Sequence, residues 1–231
     1  MLKKYRHIFF DLDNTLWDYN RNSSDAITDL VKKYKLEEKI GNTEEFIKVY
    51  QEINTDLWDQ YRKGILEKEI LRTERFFVAL GKFGIQDFNL AEKIGIEYLD
   101  ISPTKTTLFD HASDVLEYLR RNYKLSIISN GFTDIQYKKM KNAGILGYFE
   151  NVFTSEKAGS SKPSPGIFRY ALDHISAAPQ ECIMVGDELE IDIIGARDFG
   201  MDQVYFNPSG KPHNEKITCE IATLADLLKI L

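Results

Sequence analysis

A short apolar run near the start of the chain is closed directly by acidic residues. The run is Ile8-Phe9-Phe10, and Asp11 and Asp13 follow it. A continuous apolar run that ends in polar residues is typical of a central strand in a parallel sheet. Two carboxylates this close repel each other, so we expect a cation beside them, and a hard divalent ion with oxygen ligands suits the pair. An ordinary turn built on Asp and Asn is the alternative interpretation.

The same pattern recurs twice further along the chain. Two apolar runs, at 125–128 and 182–185, end in small or acidic residues: Ser129, Asn130 and Gly131 after the first, and Gly186 and Asp187 after the second. Helical patterns separate the runs, and this alternation predicts an α/β fold with a Rossmann-like parallel sheet. Ligands of open parallel sheets bind outside the carboxyl ends of the strands. We therefore expect these polar residues to meet at one edge of the sheet.

The alternation of strands and helices stops between about Asn20 and Tyr98. Apolar residues at helical spacing predict four helices there, at about 26–34, 43–58, 67–80 and 90–99. We interpret this segment as an all-helical cap inserted after the first strand. The predicted domains are a discontinuous catalytic core, residues 1–17 and 104–231, and the helical cap, residues 18–103.

An insert tethered by two linkers is suited to act as a lid that excludes water and recognises a substrate. A fixed layer of helices is the alternative. Trp58, Tyr61 and Arg62 lie within about one turn of one another at the end of the second predicted helix of the cap. They could form a recognition patch in which the rings stack on a planar group and the arginine contacts phosphate. A Trp and a Tyr at such positions are also often part of a core.

Charge and cysteine content narrow the class of partner. The 30 basic and 36 acidic residues leave a net charge of -6, which argues against a nucleic-acid polymer as partner. A small anionic substrate stays compatible, because a metal ion or a lysine acts locally. Cys182 and Cys219 indicate neither a disulfide framework nor a zinc site. We recognise no signal peptide and no membrane span, expect a cytoplasmic protein, and leave the oligomeric state open.

Four motifs, in this order, resemble those of the haloacid dehalogenase superfamily of hydrolases, in its phosphatase branch. They are Asp11-Leu12-Asp13-Asn14-Thr15, Ser129-Asn130-Gly131, Lys162, and Gly186-Asp187 followed by Asp192. The resemblance covers the whole chain, and the inserted helices match the helical cap of the first type in that family. Each motif alone is weak, but four in order form a strong signal.

The resemblance implies catalytic roles for three side chains. Asp11 would be the nucleophile that forms an aspartyl-phosphate. Asp13 would protonate the leaving group and then act as general base for the water that breaks the intermediate. Lys162 would supply fixed positive charge to the phosphoryl group. The phosphate oxygens would be held at a helix N-terminus by three successive residues: Ser129, Asn130 and Gly131.

The resemblance also implies a magnesium ion. It would be held by Asp11, by the backbone carbonyl of Asp13 and by Asp187. Asp192 would act from outside this set, through a water molecule or through Lys162. The chain departs from many relatives at Glu188, where they have serine, and this extra acid could tune the metal site or point outward.

Within the family the chain looks like the pyrimidine 5'-nucleotidase branch, on the segments 11–18, 129–136 and 153–156. This implies hydrolysis of a small phosphorylated metabolite, a nucleoside 5'-monophosphate, with Trp17 or aromatic residues of the cap near the base. A sugar-phosphate or phosphoglycolate phosphatase and a phosphomutase are alternatives. A 2-haloacid dehalogenase would need neither Asp13 nor magnesium and is less favoured. A non-catalytic binding module is disfavoured, because no catalytic residue is lost.

Overall fold

The computed structural model describes residues 5–231, which divide into two compact units. One unit runs from the start of the described chain to Tyr19 and resumes as Thr106–Leu231; the other is Asn20–Lys105. Each unit has hydrophobic core clusters of its own. The boundaries after Tyr19 and Lys105 lie two residues beyond the predicted ones. The function of the second unit as a lid stays a prediction.

Six strands in the first unit form one parallel sheet. They are β1 His7–Phe10, β2 Lys124–Ser129, β3 Asn151–Thr154, β4 Cys182–Gly186, β5 Asp202–Phe206 and β6 Cys219–Ile221. Their order is β3-β2-β1-β4-β5-β6, and all neighbouring pairs are parallel. The predicted α/β fold with a Rossmann-like sheet is confirmed.

The order of the strands places β1 between β2 and β4. From β1 the chain first adds β2 and β3 on one side and then β4, β5 and β6 on the other. Phe10 of β1 lies beside Ile127 of β2 and beside Val185 of β4. Residues that follow these three strands therefore meet at one edge, at the point where open α/β sheets bind their ligands.

Strand β1 is buried on both faces, which explains why its sequence does not alternate. Ile8 and Phe10 pack in one core cluster and Phe9 in another, and all three are fully buried. The first cluster includes Val115, and the second includes Phe168. The sheet is thus covered on both sides, and its polar strand ends are held in fixed positions.

The second unit is helical, as predicted. Its helices are α1 Tyr19–Lys33, which begins one residue before the unit, α2 Glu37–Ile40, α3 Thr43–Arg62, α4 Lys68–Lys82 and α5 Phe88–Ile101. The four predicted helices are confirmed, whereas the short α2 was not predicted. The side chain of Asn42 accepts hydrogen bonds from the amides of Glu44 and Glu45, which explains where α3 begins. The third predicted helix, at about 67–80, corresponds to α4, which continues two residues further to Lys82.

The remaining helices belong to the first unit. They are α6 Ala112–Leu119, α7 Thr133–Asn142, α8 Ser155–Ala158, α9 Pro165–Ile175, α10 Gly195–Phe199 and α11 Leu227–Ile230. Helix α7 begins soon after β2 ends, and a π-helical segment, Leu189–Ile194, follows β4 and leads into α10. None of the helices in residues 5–231 combines the length and apolarity that a membrane span requires.

A glycine in α5 allows the close approach of α4. A methyl group on Gly95 would lie 2.6 Å from the backbone oxygen of Arg72. We expect Gly95→Ala to lower the free energy of unfolding by about 2 kcal/mol, because neither backbone can yield without repacking. Gly147→Ala is the control, since a methyl group there meets nothing within 4 Å. Urea denaturation followed by circular dichroism compares the two variants, and equal midpoints would contradict the tight α4–α5 contact.

Candidate active site

The loop after β1 keeps Asp11 next to the sheet and turns Asp13 away from it. The amide of Asp11 donates to the carbonyl oxygen of Val185 at 2.9 Å, which extends the pairing with β4 by one residue. Asn14 has a φ of 61°, a left-handed conformation that asparagine adopts more readily than most residues. The amide of Asn14 donates to the carbonyl oxygen of Trp17, which closes the loop. The local sequence thus places two carboxylates in different surroundings.

Lys162 lies at the centre of the site. Its ammonium donates to Oδ1 of Asp11 at 2.6 Å, to Oδ1 of Asp192 at 2.6 Å and to the carbonyl oxygen of Ile128 at 2.7 Å. Its side chain is 1% exposed. Burial alone would lower the pKa of Lys162, but the carboxylates of Asp11 and Asp192 raise that pKa above its ordinary value. The three oxygen acceptors therefore favour the charged form of this buried lysine.

Asn130 holds the backbone of Lys162. Its Oδ1 accepts from the amide of Lys162 at 2.8 Å, and its Nδ2 donates to the carbonyl oxygen of Lys162 at 3.0 Å. The hydroxyl of Ser155 donates to the carbonyl oxygen of Asn130. The side chain of Asn130 therefore positions the lysine, a role that the sequence did not indicate. Its predicted contact with phosphate through the backbone amide stays a prediction.

Asp187 and Asp192 follow β4 and differ in their partners. Thr15 donates from its hydroxyl to Oδ1 of Asp187 at 3.0 Å. Asp192 is 2% exposed and bonds through both oxygens, to Lys162 and to the amide of Glu188. A methyl group on Gly186 would lie 2.5 Å from the side chain of Asp192, so glycine is required there.

The acidic cluster fits a divalent cation. Carboxylate oxygens of Asp11, Asp187 and Asp192 lie within 4.8 Å of one another. Burial raises the pKa of Asp11 to about 8, although Lys162 opposes this effect, and burial together with Asp192 and Asp11 raises the pKa of Asp187. Among residues 5–231, no basic side chain forms an ion pair with Asp187. Oxygen donors and uncompensated negative charge suit a hard ion such as magnesium.

Asp13 is bound by two residues of α7 that the sequence analysis missed. The ammonium of Lys139 lies 2.6 Å from its Oδ1, and Nε2 of Gln136 donates to its Oδ2 at 2.7 Å. Both side chains are buried. They lie on the same helix face as the buried Ile135 and Met140. The sequence contained one signal of this contact. Gln136 and Lys139 are two long polar residues on the apolar face of the helix that follows the second motif.

A count of charge supports the same fit. The site contains four carboxylates and two lysine ammonium groups: Asp11, Asp13, Asp187 and Asp192 with Lys139 and Lys162. With all six groups ionised, their net charge is -2, and the carboxylate of Glu188 adds to the negative field at Asp187. A divalent cation would balance the six groups, whereas a third lysine would balance half of their charge.

The hydroxyl of Ser129, in the second motif, bonds to α7 and to the backbone of Gly131. It is 2% exposed, and its oxygen accepts from Nε2 of Gln136 at 2.7 Å and from the amide of Gly131 at 3.0 Å. A phosphate group that bound the amide of Gly131 would have to displace the second of these bonds. The phosphate-binding role of these residues stays a prediction.

The predicted recognition residues belong to both units. Trp17 is fully buried in the core of the first unit. Trp58 and Tyr61 are half-buried on α3, with their ring centroids 5.4 Å apart and perpendicular, and Arg62 lies 3.7 Å from Asp59. Contact of any of these residues with a substrate stays a prediction.

Comparison with known proteins defines the class. The haloacid dehalogenase-like hydrolase family matches residues 5–200. The HAD-hydrolase YfnB of Bacillus subtilis is 30% identical, over 100% of this chain and 97% of its own. A crystal structure of YfnB bound to magnesium superposes with a TM-score of 0.90 and 28% identity over 99% of both chains. The chain therefore belongs to the haloacid dehalogenase-like hydrolases.

Two further relatives are enzymes with different substrates. The pyrimidine 5'-nucleotidase YjjG of Escherichia coli is 29% identical, over 99% of this chain and 98% of its own. The N-acylneuraminate-9-phosphatase of Homo sapiens is 29% identical, over 90% of this chain and 85% of its own. Relatives of similar identity thus act on different phosphorylated compounds.

The carboxylate of Asp187 should destabilise the metal-free protein. Since the pKa of Asp187 is raised above its unfolded value of about 4, its ionisation costs stability as the pH rises above that value. Without metal at pH 8, Asp187→Asn should melt roughly 2–4 °C higher than the wild type, the change expected for about 1 kcal/mol in a chain of this size. Magnesium should raise the melting temperature of the wild type and not that of the variant.

Thermal denaturation at pH 6 and pH 8, with EDTA or with magnesium, measures both effects. The control is Asp173→Asn, the same change at an exposed position of α9, which should behave as the wild type. Equal stabilisation of Asp187→Asn and the wild type by magnesium would remove Asp187 from the metal site.

Proposed function

We propose that this hydrolase is a magnesium-dependent phosphomonoester hydrolase that acts through an aspartyl-phosphate on Asp11. The observation that carries the proposal is the separation of two carboxylates at the end of β1. Asp11 bonds to the buried Lys162, and Asp13 bonds to Lys139 and Gln136. A nucleophile and a separate proton-transfer group are what phosphoester hydrolysis through a covalent intermediate requires.

In the proposed reaction, an oxygen of Asp11 attacks phosphorus in line while the bond to the leaving oxygen breaks. The bond between Lys162 and Oδ1 restrains the rotation of the Asp11 carboxylate and leaves Oδ2 to react. Asp13 gives its proton to the leaving oxygen. A water molecule then attacks phosphorus, Asp13 takes its proton, and the carboxylate of Asp11 is released with inorganic phosphate as product.

The metal ion would be held by Asp11, Asp187 and the backbone carbonyl of Asp13. Asp192 would act from outside this set, through its bonds to Lys162 and to the amide of Glu188. When bound, the ion would supply positive charge to the phosphoryl oxygens. The phosphate would be held by the predicted segment: Ser129, Asn130 and Gly131.

We propose nucleoside 5'-monophosphates of the cytoplasm as substrates, with pyrimidine bases preferred. The similarity to YjjG, a pyrimidine 5'-nucleotidase, over nearly the whole of both chains supports this choice. The segments 11–18 and 129–136 support it from the sequence side. Trp17, Trp58, Tyr61 and Arg62 are the proposed recognition residues.

A sugar-phosphate phosphatase is the second candidate, because N-acylneuraminate-9-phosphatase is equally identical to this chain. The same site would act in both cases, and only the leaving group would differ. Dehalogenation of 2-haloacids is disfavoured, because it would leave the bonds of Lys139 and Gln136 to Asp13 without a catalytic purpose. A binding module is disfavoured, because all four motifs are intact.

Phosphate release from a panel of monophosphates tests the proposal. The panel contains pyrimidine and purine nucleotides, sugar phosphates and phosphoglycolate, each with magnesium or EDTA, beside halide release from 2-haloacids. We expect magnesium-dependent release that is fastest for pyrimidine nucleotides. Asp11→Asn, purified in the same way, measures contaminating phosphatases. Faster release from sugar phosphates would overturn the substrate class, and halide release without phosphate release would overturn the chemistry.

A further inference from the structure

Two residues of α7, Lys139 and Gln136, bind the carboxylate of Asp13 through an ammonium and a side-chain amide. Lys139 is 4% exposed and Gln136 is fully buried, and they lie one helical turn apart. Long polar side chains are seldom buried to this extent unless they are paired, because their desolvation costs free energy. Both are paired here with Asp13, one at each oxygen. Bonds to both oxygens prevent the carboxylate from rotating about its last side-chain bond.

Lys139 is itself held from a second direction. Its ammonium lies 4.3 Å from the centre of the Trp17 ring and 5.5 Å from the centre of the Tyr19 ring. A cation that is attracted to two aromatic faces has few alternative positions. The lysine therefore gives Asp13 a fixed partner and not a mobile one.

Gln136 connects Asp13 to the phosphate-binding segment. Its Nε2 donates to Asp13 at 2.7 Å and to the hydroxyl oxygen of Ser129 at 2.7 Å. That oxygen also accepts from the amide of Gly131, so the hydroxyl proton of Ser129 is left to donate outward. A methyl group on Gly131 would lie 2.0 Å from Nε2 of Gln136, so the glycine of the second motif is required by this contact.

We propose that Lys139 and Gln136 are positioning residues that hold Asp13 where it exchanges a proton with the leaving oxygen. The inference rests on the proposed function and adds to it the groups that make the proton transfer possible. An ionised carboxylate has about four acceptor positions, and Lys139 and Gln136 occupy two of them. Protonation at one of the remaining positions makes Asp13 the neutral acid, which gives that proton to the leaving oxygen and later takes one from the attacking water.

Two substrates with different leaving groups distinguish a role in proton transfer from a general effect of charge on the site. The alkoxide of uridine 5'-monophosphate needs a proton from Asp13 to leave, whereas p-nitrophenolate leaves without one. Lys139→Met should therefore slow the single-turnover release of uridine by about 100-fold, the lower end of what general acid catalysis contributes. Release of p-nitrophenol from p-nitrophenyl phosphate in a single turnover should fall by less than about 3-fold, because the attack of Asp11 needs no general acid. The KM of both substrates should change little.

Three variants make the test specific. Gln136→Met, which keeps the length of the side chain, should show the same split between substrates. Lys139→Arg should restore part of the uridine rate, because it keeps a cation at the same position. Lys138→Met, the same change at the exposed neighbouring position, should leave both rates unchanged.

The rates of the variants with the two substrates decide whether Lys139 and Gln136 position Asp13. Equal loss with both substrates in Lys139→Met and Gln136→Met, or no loss in either variant, would overturn the positioning role while the phosphatase activity of the wild type stands. If Lys139→Met does not fold, the split in Gln136→Met decides alone. Absence of phosphate release by the wild type would overturn the proposed function and this inference together.

Discussion

The buried ammonium of Lys162 is the interaction on which the site depends. It joins Asp11 after β1, the carbonyl oxygen of Ile128 in β2, and Asp192 after β4. These are three neighbouring strands of one sheet. Removal of the lysine would leave two buried carboxylates without their cation, which is far more costly than the loss of an exposed pair. The same positive charge therefore stabilises the end of the sheet and fixes the position of the Asp11 carboxylate.

The carboxylates of Asp11 and Asp13 lie in different surroundings. Asp11 is desolvated and shares Lys162 with Asp192, whereas Asp13 bonds to the side-chain amide of Gln136 and to the ammonium of Lys139, both on α7. Two carboxylates on one short loop can have different tasks only if their environments differ. The loop that contains both carboxylates, with Asn14 in a left-handed conformation directly after Asp13, keeps them in these different surroundings. The backbone conformation of the loop after β1 thus determines which partners each carboxylate has.

Much of the fold was predictable from the sequence, because central strands of a parallel sheet have a continuous apolar pattern. The same pattern predicted which edge would gather Asp11, Ser129 and Asp187, since parallel strands end together. The roles of Gln136 and Lys139 were not predicted, because they depend on where α7 packs against the loop after β1. A helix pattern shows that a face is buried, but it does not show which distant side chain that face meets.

Capture of the covalent intermediate tests the central claim most directly. The enzyme is mixed with p-nitrophenyl phosphate and magnesium, quenched in acid within milliseconds, digested, and examined by mass spectrometry. The account predicts a peptide that carries one phosphoryl group on Asp11, and loss of that group after treatment with hydroxylamine. Turnover of the substrate with no phosphoryl group on Asp11, or with the group on another residue, would contradict it.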